Sequence, residues 1–167
     1  GYSSAASDVY KRQDLYCSKR AEEIRARIAP YGIHGIHFWD SGNYHYVTGI
    51  MTALIKQKFS LILLDHHTDM QKPMIEQMTS CGDWAGKVLK TNPWLQQLIL
   101  IGPQERDIQQ IYSEKEGLVT STELREKLVT FSAEEIQSGE AGNKISKIKK
   151  NFPVYISIDK DLSLIHI

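Results

Sequence analysis

The sequence predicts an α/β protein with a doubly wound parallel sheet in three layers. Short apolar runs of strand length alternate with segments whose apolar residues recur at helical spacing. The most apolar run, residues 61–64, contains no polar residue, which is typical of a strand covered on both faces. Strands of that kind belong to parallel sheets whose crossover connections are helices. We therefore expect helices to cover both sides of this sheet.

The first half of the chain alternates helices with strands. The predicted elements are a helix over 15–29, a strand over 33–39, a helix over 44–58 and a strand over 59–64. Pro30 and Gly32 end the first helix, and turn residues over 40–43 precede the second. The fourth element ends at Asp65, because an unpaired ionised carboxylate cannot enter an apolar core without a large free-energy cost.

The second half of the chain continues the alternation. The predicted elements are a helix over 82–90, a strand over 97–101, a helix over 105–112, a short strand over 118–120, a helical turn over 123–127, a strand over 128–131, a helix from 133, a basic helix over 143–150 and a strand over 153–158. Ser80 is the expected cap of the first of these helices. Ser132 and Glu135 have the spacing of a capping box.

The composition favours a single globular domain and gives no sign of a membrane span or of nucleic-acid binding. The chain has 167 residues, 41% of them hydrophobic, and a formal net charge of zero, which fits one globular domain. No apolar run approaches the ~20 residues of a membrane span, and balanced charge gives no reason to expect nucleic acid as a partner. Two cysteines, Cys17 and Cys81, indicate a reducing, cytoplasmic setting. The oligomeric state stays open, with a homo-oligomer compatible with the sequence.

The two ends of the chain resemble cloning sequence. Residues 3–13 resemble the in-frame translation of a transposase-based sequencing adapter, and residues 162–167 resemble the matching end read on the opposite strand. We therefore expect 1–13 and 162–167 to be adapter-derived. The natural sequence would then be 14–161, a partial domain from a longer gene.

Three junctions between predicted elements carry residues that can bind a metal ion. They are His45, then Asp65, His67 and Asp69, and finally Asp159 and Asp161. Within each of the last two groups the residues alternate, so in an extended segment their side chains point the same way. Ligands of open α/β sheets bind at the carboxyl ends of the strands, where these groups would meet. The plainer alternative is a polar strand end with Asp69 capping a turn and solvated histidines.

Together these positions offer four carboxylates and two imidazoles. That set is too large and too rich in oxygen for one structural zinc ion. It suits two divalent ions with shared carboxylates, and carboxylate-rich sites favour harder ions such as manganese. A pair of metal ions lowers the pKa of a bridging water and orients a substrate for attack. The predicted ligands are His45, Asp65, His67, Asp69, Asp159 and Asp161.

The same residues carry a resemblance to a known family. Asp65-His66-His67-Thr68-Asp69 resembles the D-x-H-x-D signature of the arginase and ureohydrolase family, and Ser157-Ile158-Asp159-Lys160-Asp161 resembles its S-x-D-x-D signature. The segment 41–45 stands where that family has Gly-Gly-Asp-His. The resemblance implies an arginase-like fold in which Asp65 and Asp159 bridge two manganese ions. His45 and Asp69 would complete one ion, and His67 and Asp161 the other.

The family resemblance also implies a reaction. It is the hydrolysis of a C–N bond in a small guanidino- or amide-like substrate, with Asp65 and Asp159 as catalytic metal ligands. His66 is a further catalytic candidate, either touching substrate or supporting its neighbours by hydrogen bonding. The chain departs from the family in having His66 between the two ligands and no histidine over 79–84. The stretch 40–46, together with Cys81-Gly82, resembles an uncharacterised bacterial branch of the family rather than a true arginase or agmatinase.

Alternatives remain beside the hydrolase. An arginase-like fold can keep its metal for stability, or as an inactive binding or regulatory module. A two-metal phosphoesterase would use the same ligand types, and a single zinc ion would indicate a deacetylase-like arrangement. Cys81 is either a reactive thiol at a helix start or a small packing residue. The run of Lys144, Lys147, Lys149 and Lys150 is most simply a solvated helix face.

Overall fold

The computed structural model describes residues 16–39, 42–73, 78–113 and 117–160, with the backbone alone described for 16–20. The predicted ligand Asp161 and the two adapter-like ends, 1–13 and 162–167, lie outside the described part of the chain. None of the helices in the described ranges combines the length and apolar character needed to cross a membrane.

The described chain is an α/β structure around a four-stranded, all-parallel sheet flanked by helices. The strands of the sheet are β2 (Phe59–Leu64), β4 (Leu95–Ile101), β5 (Leu128–Phe131) and β6 (Val154–Ile158). Two further strands, β1 (Tyr16–Cys17) and β3 (Met78–Thr79), form a separate antiparallel pair that we did not expect from the sequence. The α/β class and the parallel sheet are confirmed, and the arrangement is consistent with three layers.

The helices occupy the intervals between the strands. They are α1 (Ser18–Ile28), α2 (Val47–Thr52), α3 (Trp84–Thr91), α4 (Glu105–Ile111), α5 (Thr122–Lys127) and α6 (Ala133–Ser138), with 3₁₀ turns at Ala29–Tyr31, Gly42–Tyr44 and Glu140–Lys147. The predicted capping box of α6 is present, because Ser132 accepts from the Glu135 backbone N–H and Glu135 accepts from the Ser132 backbone N–H.

The order of strands in the sheet is β5-β4-β2-β6. From β2 the chain moves outwards to β4 and β5, and then returns to the opposite side of β2 to form β6. This reversal places a crevice at the carboxyl ends of β2 and β6, the position at which open α/β sheets bind ligands. Leu64 of β2 pairs with Ile158 of β6, so the next residues, Asp65 and Asp159, leave the sheet side by side.

The main core lies on one face of the sheet. Leu61, Leu63, Leu98 and Leu100 have no exposed surface, and the helices α2 and α3 pack over them. The other face carries a smaller cluster, Ile99, Val129 and Phe131, covered by Ala141 and Ile148. That second cover lies over β4 and β5. The face of β6 on the same side is exposed.

Three local predictions are wrong. Residues 33–39 form no strand: Gly32 and Gly35 take positive φ angles of 72° and 102°, and these turns break the extended run. Residues 118–120 form no strand either. Ser80 does not cap α3, because its N–H and its hydroxyl both donate to the Asp83 carboxylate. The predicted helix over 44–58 is shortened to α2, and the basic segment over 143–150 is largely a 3₁₀ helix.

Candidate metal centre

A histidine and two aspartates meet in the buried crevice at the end of β2. One possible ligand atom from each of His45, Asp65 and Asp69 lies within 4.8 Å of the others, and all three side chains are buried. His45 Nδ1 is 3.1 Å from Asp65 Oδ2 and 3.1 Å from Asp69 Oδ2. This group can hold a metal ion, since imidazole nitrogen and carboxylate oxygen are ligands that several divalent ions accept.

Asp65 is positioned by the end of the sheet. Its backbone N–H donates to the Ile101 carbonyl of β4, which continues the parallel ladder for one residue beyond β2. Its Oδ1 accepts the backbone N–H of His67 at 2.8 Å. Because that bond ties the carboxylate to the turn that follows, the second oxygen, Oδ2, is directed towards His45.

Asp69 is held in an unusual backbone conformation. Among the described residues other than glycine, it alone has a positive φ, at 51°. Its carbonyl accepts the backbone N–H groups of Ala85 and Gly86 at the start of α3. Its Oδ2 accepts the indole N–H of Trp84 at 2.6 Å. These bonds offset the cost of the left-handed conformation, which is of order 1–3 kcal/mol, and fix the carboxylate.

On the side of the ring away from the carboxylates, His45 is oriented by the Ser157 hydroxyl, which in turn contacts the Thr48 hydroxyl. Its Nε2 lies 2.8 Å from Ser157 Oγ, and Ser157 Oγ lies 2.9 Å from Thr48 Oγ1. The Trp84 ring lies beside the imidazole, with ring centroids 4.9 Å apart. When Nε2–H donates to Ser157, Nδ1 of the neutral ring carries the lone pair and faces the carboxylates, as a metal ligand requires.

Asp159 completes the carboxylate side of the crevice. Its Oδ2 lies 3.4 Å from His45 Nδ1, and its side chain is 14% exposed. It rests against the backbone of Gly42, where an added Cβ would lie only 2.8 Å from Oδ2. Glycine at this position therefore leaves the space that the Asp159 carboxylate occupies.

Without a bound cation, His45 and Asp69 have raised pKa values and hold their protons more strongly. Burial by itself lowers the pKa of His45, but its contacts with Asp65 and Asp69 and their negative charges outweigh burial and raise that pKa to about 9. Burial raises the pKa of Asp69 to about 7, against the opposing effects of His45 and Trp84. His45 Nδ1 is buried and makes no well-aligned hydrogen bond despite its short contacts. A cation would relieve the mutual repulsion of the carboxylates.

An open cavity of about 520 Å³ reaches the cluster from solvent. Its lining residues are Gly42, Asn43, Asp65, His67, Asp69, Gln71, Ser80, Cys81, Gly82 and Asp159. Apart from the predicted ligands, this lining is neutral and mostly polar. Cys81 thus faces the same space as the candidate ligands.

The structure separates the predicted site residues into groups. His45, Asp65 and Asp69 are together, and Asp159 adjoins them. His67 lies at the rim, with a side chain 60% exposed and Nδ1 3.6 Å from Asp65 Oδ1. His66 packs its ring edge-on against His67 and is not among the residues that line the cavity, so its predicted catalytic role stays a prediction. Asp161 lies outside the described residues.

The residues that hold the candidate ligands in place were not predicted from the sequence. Ser157 stands inside the S-x-D-x-D motif, so its nearness to a ligand was detectable, but its bond to His45 joins residues 112 positions apart. Nothing in the sequence marks Thr48 as a neighbour of the site. Gly42 belongs to the segment that resembles Gly-Gly-Asp-His, but its contact with Asp159 was not predicted. Trp84 reads as an ordinary core residue, and its bond to Asp69 depends on how α3 packs.

Comparison with known proteins finds a relative whose own function is not characterised. An uncharacterised protein of Thermotoga maritima is 28% identical over 157 residues, which is 87% of this chain and 53% of the relative. The chain therefore spans about half the length of this relative. No protein-family model and no solved structure matches the chain.

Proposed function

We propose that the protein is a metal-dependent hydrolase of the arginase type that cleaves a C–N bond in a small guanidino- or amide-like substrate. The observation that carries the proposal is the His45 imidazole, whose buried Nδ1 faces oxygens of Asp65, Asp69 and Asp159. The two sequence motifs that resemble arginases contribute three of these four side chains.

The donor set fits a divalent cation. Three carboxylates around one buried imidazole carry a negative charge that burial makes costly, and a cation offsets it. When His45 Nε2–H donates to Ser157 Oγ, Nδ1 is left as the coordinating atom. In the proposed assignment, one manganese ion would be held by His45, Asp65, Asp69 and Asp159. The other would be held by Asp65, His67, Asp159 and Asp161.

The chain's own residues have distinct parts in this proposal. Bound metal ions would supply a water of lowered pKa as nucleophile and stabilise negative charge on the substrate. Trp84 and Ser157 keep the ligands in place through their hydrogen bonds to Asp69 and His45. Asn43 and Gln71 stand in the cavity wall, where their amides can hydrogen-bond a polar planar substrate.

One observation favours a second function, a metal-binding module without catalysis. Among the described residues that line the cavity, Cys81 is the one titratable group that is not a predicted ligand. A hydrolase that expels an amine needs a proton donor for the leaving group, and general acids of that kind contribute roughly 10²–10⁴-fold to rate. If no residue supplies it, metal binding would persist without turnover.

Turnover separates the two functions. The protein is loaded with manganese and incubated with guanidino and amide compounds, while urea and amine release are measured. The proposed hydrolase releases product, and the Asp65→Ala variant does not. Glu123→Ala, which removes an exposed carboxylate of α5 that pairs with Lys127, serves as the control and keeps the activity. Metal binding with no release from any compound would favour the module.

A further inference from the structure

Strand β6 presents an apolar face to solvent. Val154, Ile156 and Ile158 alternate along the strand, so their side chains lie on one face. They are 53%, 58% and 65% exposed, respectively. On the opposite face Tyr155 packs against the main core and Ser157 is buried. The strand therefore has one covered face and one uncovered face, and the uncovered face is entirely aliphatic.

The uncovered face continues onto the neighbouring strand. Ile62 of β2 pairs with Ile156, and Leu64 of β2 pairs with Ile158. Both β2 residues are only partly buried. Beyond them, over β4 and β5, Ala141 and Ile148 cover Ile99 and Phe131. The second layer of the fold thus ends above β2. We call the exposed surface of Val154, Ile156, Ile158, Ile62 and Leu64 the β6 face.

The β6 face has the character of an interior surface. All five side chains are aliphatic and none carries a charge, which excludes recognition of an anionic or cationic partner by these residues. Parallel sheets occur almost only with both faces covered, because their crossover helices lie on both sides. A contiguous exposed aliphatic patch on a soluble domain marks a surface that another element occupies.

The β6 face also reaches the candidate metal centre. Ile158 lines a small cavity of about 120 Å³ together with Phe38, His45 and Asp159. Phe38 is itself 86% exposed. An element placed on the β6 face would thus cover Phe38 and close the flank of Asp159.

We propose that a further segment of the same polypeptide, present in the full-length protein and absent from this chain, packs on the β6 face as an amphipathic helix. The length of the relative supports this occupant over others, since this chain corresponds to only 53% of the Thermotoga protein. A helix with an aliphatic stripe is the element that covers parallel strands in the rest of this fold. The proposal does not depend on the proposed hydrolase activity.

Cysteine accessibility tests the proposal directly. Ile156→Cys is placed in this chain and at the aligned position of the full-length Thermotoga protein, each with its native cysteines replaced by serine. Lys90→Cys, on the exposed side of α3, is the matched control in both proteins. We expect maleimide to alkylate the two cysteines of this chain at similar rates. In the full-length relative, alkylation at the Ile156 position should be slower by more than about tenfold, whereas the control stays fast.

Two results would overturn the proposal. Equal alkylation at the Ile156 position in both proteins would mean that no further segment covers the β6 face. Slow alkylation in this chain, together with a dimer mass in sedimentation equilibrium, would mean that a second copy covers it. Ile158→Cys is tested in parallel, so that a folding defect of one variant does not decide the outcome.

Discussion

Removal of the Ser157 hydroxyl probes the support of the candidate metal centre. Ser157 is 6% exposed and bonds both His45 Nε2, at 2.8 Å, and Thr48 Oγ1, at 2.9 Å. Ser157→Ala therefore leaves a buried imidazole N–H without its acceptor. An unsatisfied buried polar group costs about 1–3 kcal/mol, so we expect the free energy of unfolding to fall by that amount.

The same change should weaken metal binding more than stability alone explains. Loss of a hydrogen-bond partner behind a histidine ligand typically costs about 10–100-fold in metal affinity, because the ring is no longer held in one tautomer and orientation. Urea unfolding of the metal-free protein measures the first effect, and calorimetric titration with manganese measures the second. Binding should become weaker by roughly 10-fold or more.

The control for this experiment is Ser138→Ala. Ser138 also donates a hydrogen bond, to the Glu135 carbonyl, but it is exposed at the end of α6. Such a surface change usually stays within about 0.5 kcal/mol. If Ser157→Ala matched Ser138→Ala in both stability and manganese affinity, the Ser157 hydroxyl would have no part in holding His45.

Three further predictions concern the same cluster. In Gly42→Ala, the new Cβ would stand 2.8 Å from Asp159 Oδ2, so the carboxylate must move; titration calorimetry should show weaker manganese binding. Trp84→Phe removes the indole N–H that Asp69 accepts, and because that bond lowers the pKa of Asp69, the pKa should rise further in the metal-free variant, as NMR titration would show. The metal-free protein should lose stability between about pH 6.5 and 9, measured by urea unfolding, because over this range the folded protein keeps the His45 proton that the unfolded chain has already released.

The sign of the pH effect follows from the direction of the two shifts. The pKa of His45 is raised from 6.5 to about 9, so its contribution to stability is fully present below pH 6.5 and is lost as the pH rises through 9. Asp69, raised from 3.8 to about 7, acts in the same direction at lower pH. Stability that rises from pH 6.5 to 9 in the metal-free protein would mean that the folded state does not raise the pKa of His45.

Controls separate these effects from general damage. Gly142→Ala adds a Cβ with no atom within 4 Å and should leave manganese affinity unchanged. Trp84 is 1% exposed, so Trp84→Phe also loses packing. The NMR titration of Asp69 distinguishes the two effects by their sign: loss of the hydrogen bond raises the pKa of Asp69, whereas looser packing that admits water lowers it, because burial is the main cause that raises this pKa.

The parallel sheet was predictable because local patterns determine it. Uninterrupted apolar runs at β2 and β4 need cover on both faces wherever they lie, and the capping box at Ser132 depends only on residues three positions apart. The segment 33–39 is also rich in apolar residues and was predicted to be a strand, yet it forms none. Its apolar residues gain nothing from extension without a neighbouring strand, and the glycines at 32 and 35 turn the chain.

The meeting of the candidate ligands at one edge of the sheet was also predictable from local patterns. Asp65 and Asp69 follow a buried strand, and Asp159 follows another, so parallel pairing brings them to one edge. What escaped prediction depends on tertiary packing. The contact of Trp84 with Asp69 requires α3 to start at a particular point, and the contact of Gly42 with Asp159 requires a turn between distant segments to meet the end of β6.

Metal binding by His45, Asp65 and Asp69 can be measured directly. Equilibrium dialysis against manganese, followed by elemental analysis, measures the number of ions held per chain in the unaltered protein, in Asp65→Ala and in the control Glu123→Ala. We expect the unaltered protein and the control to retain manganese and Asp65→Ala to lose it. Equal retention by all three proteins, or no retention by any of them, would show that these residues do not form a metal site.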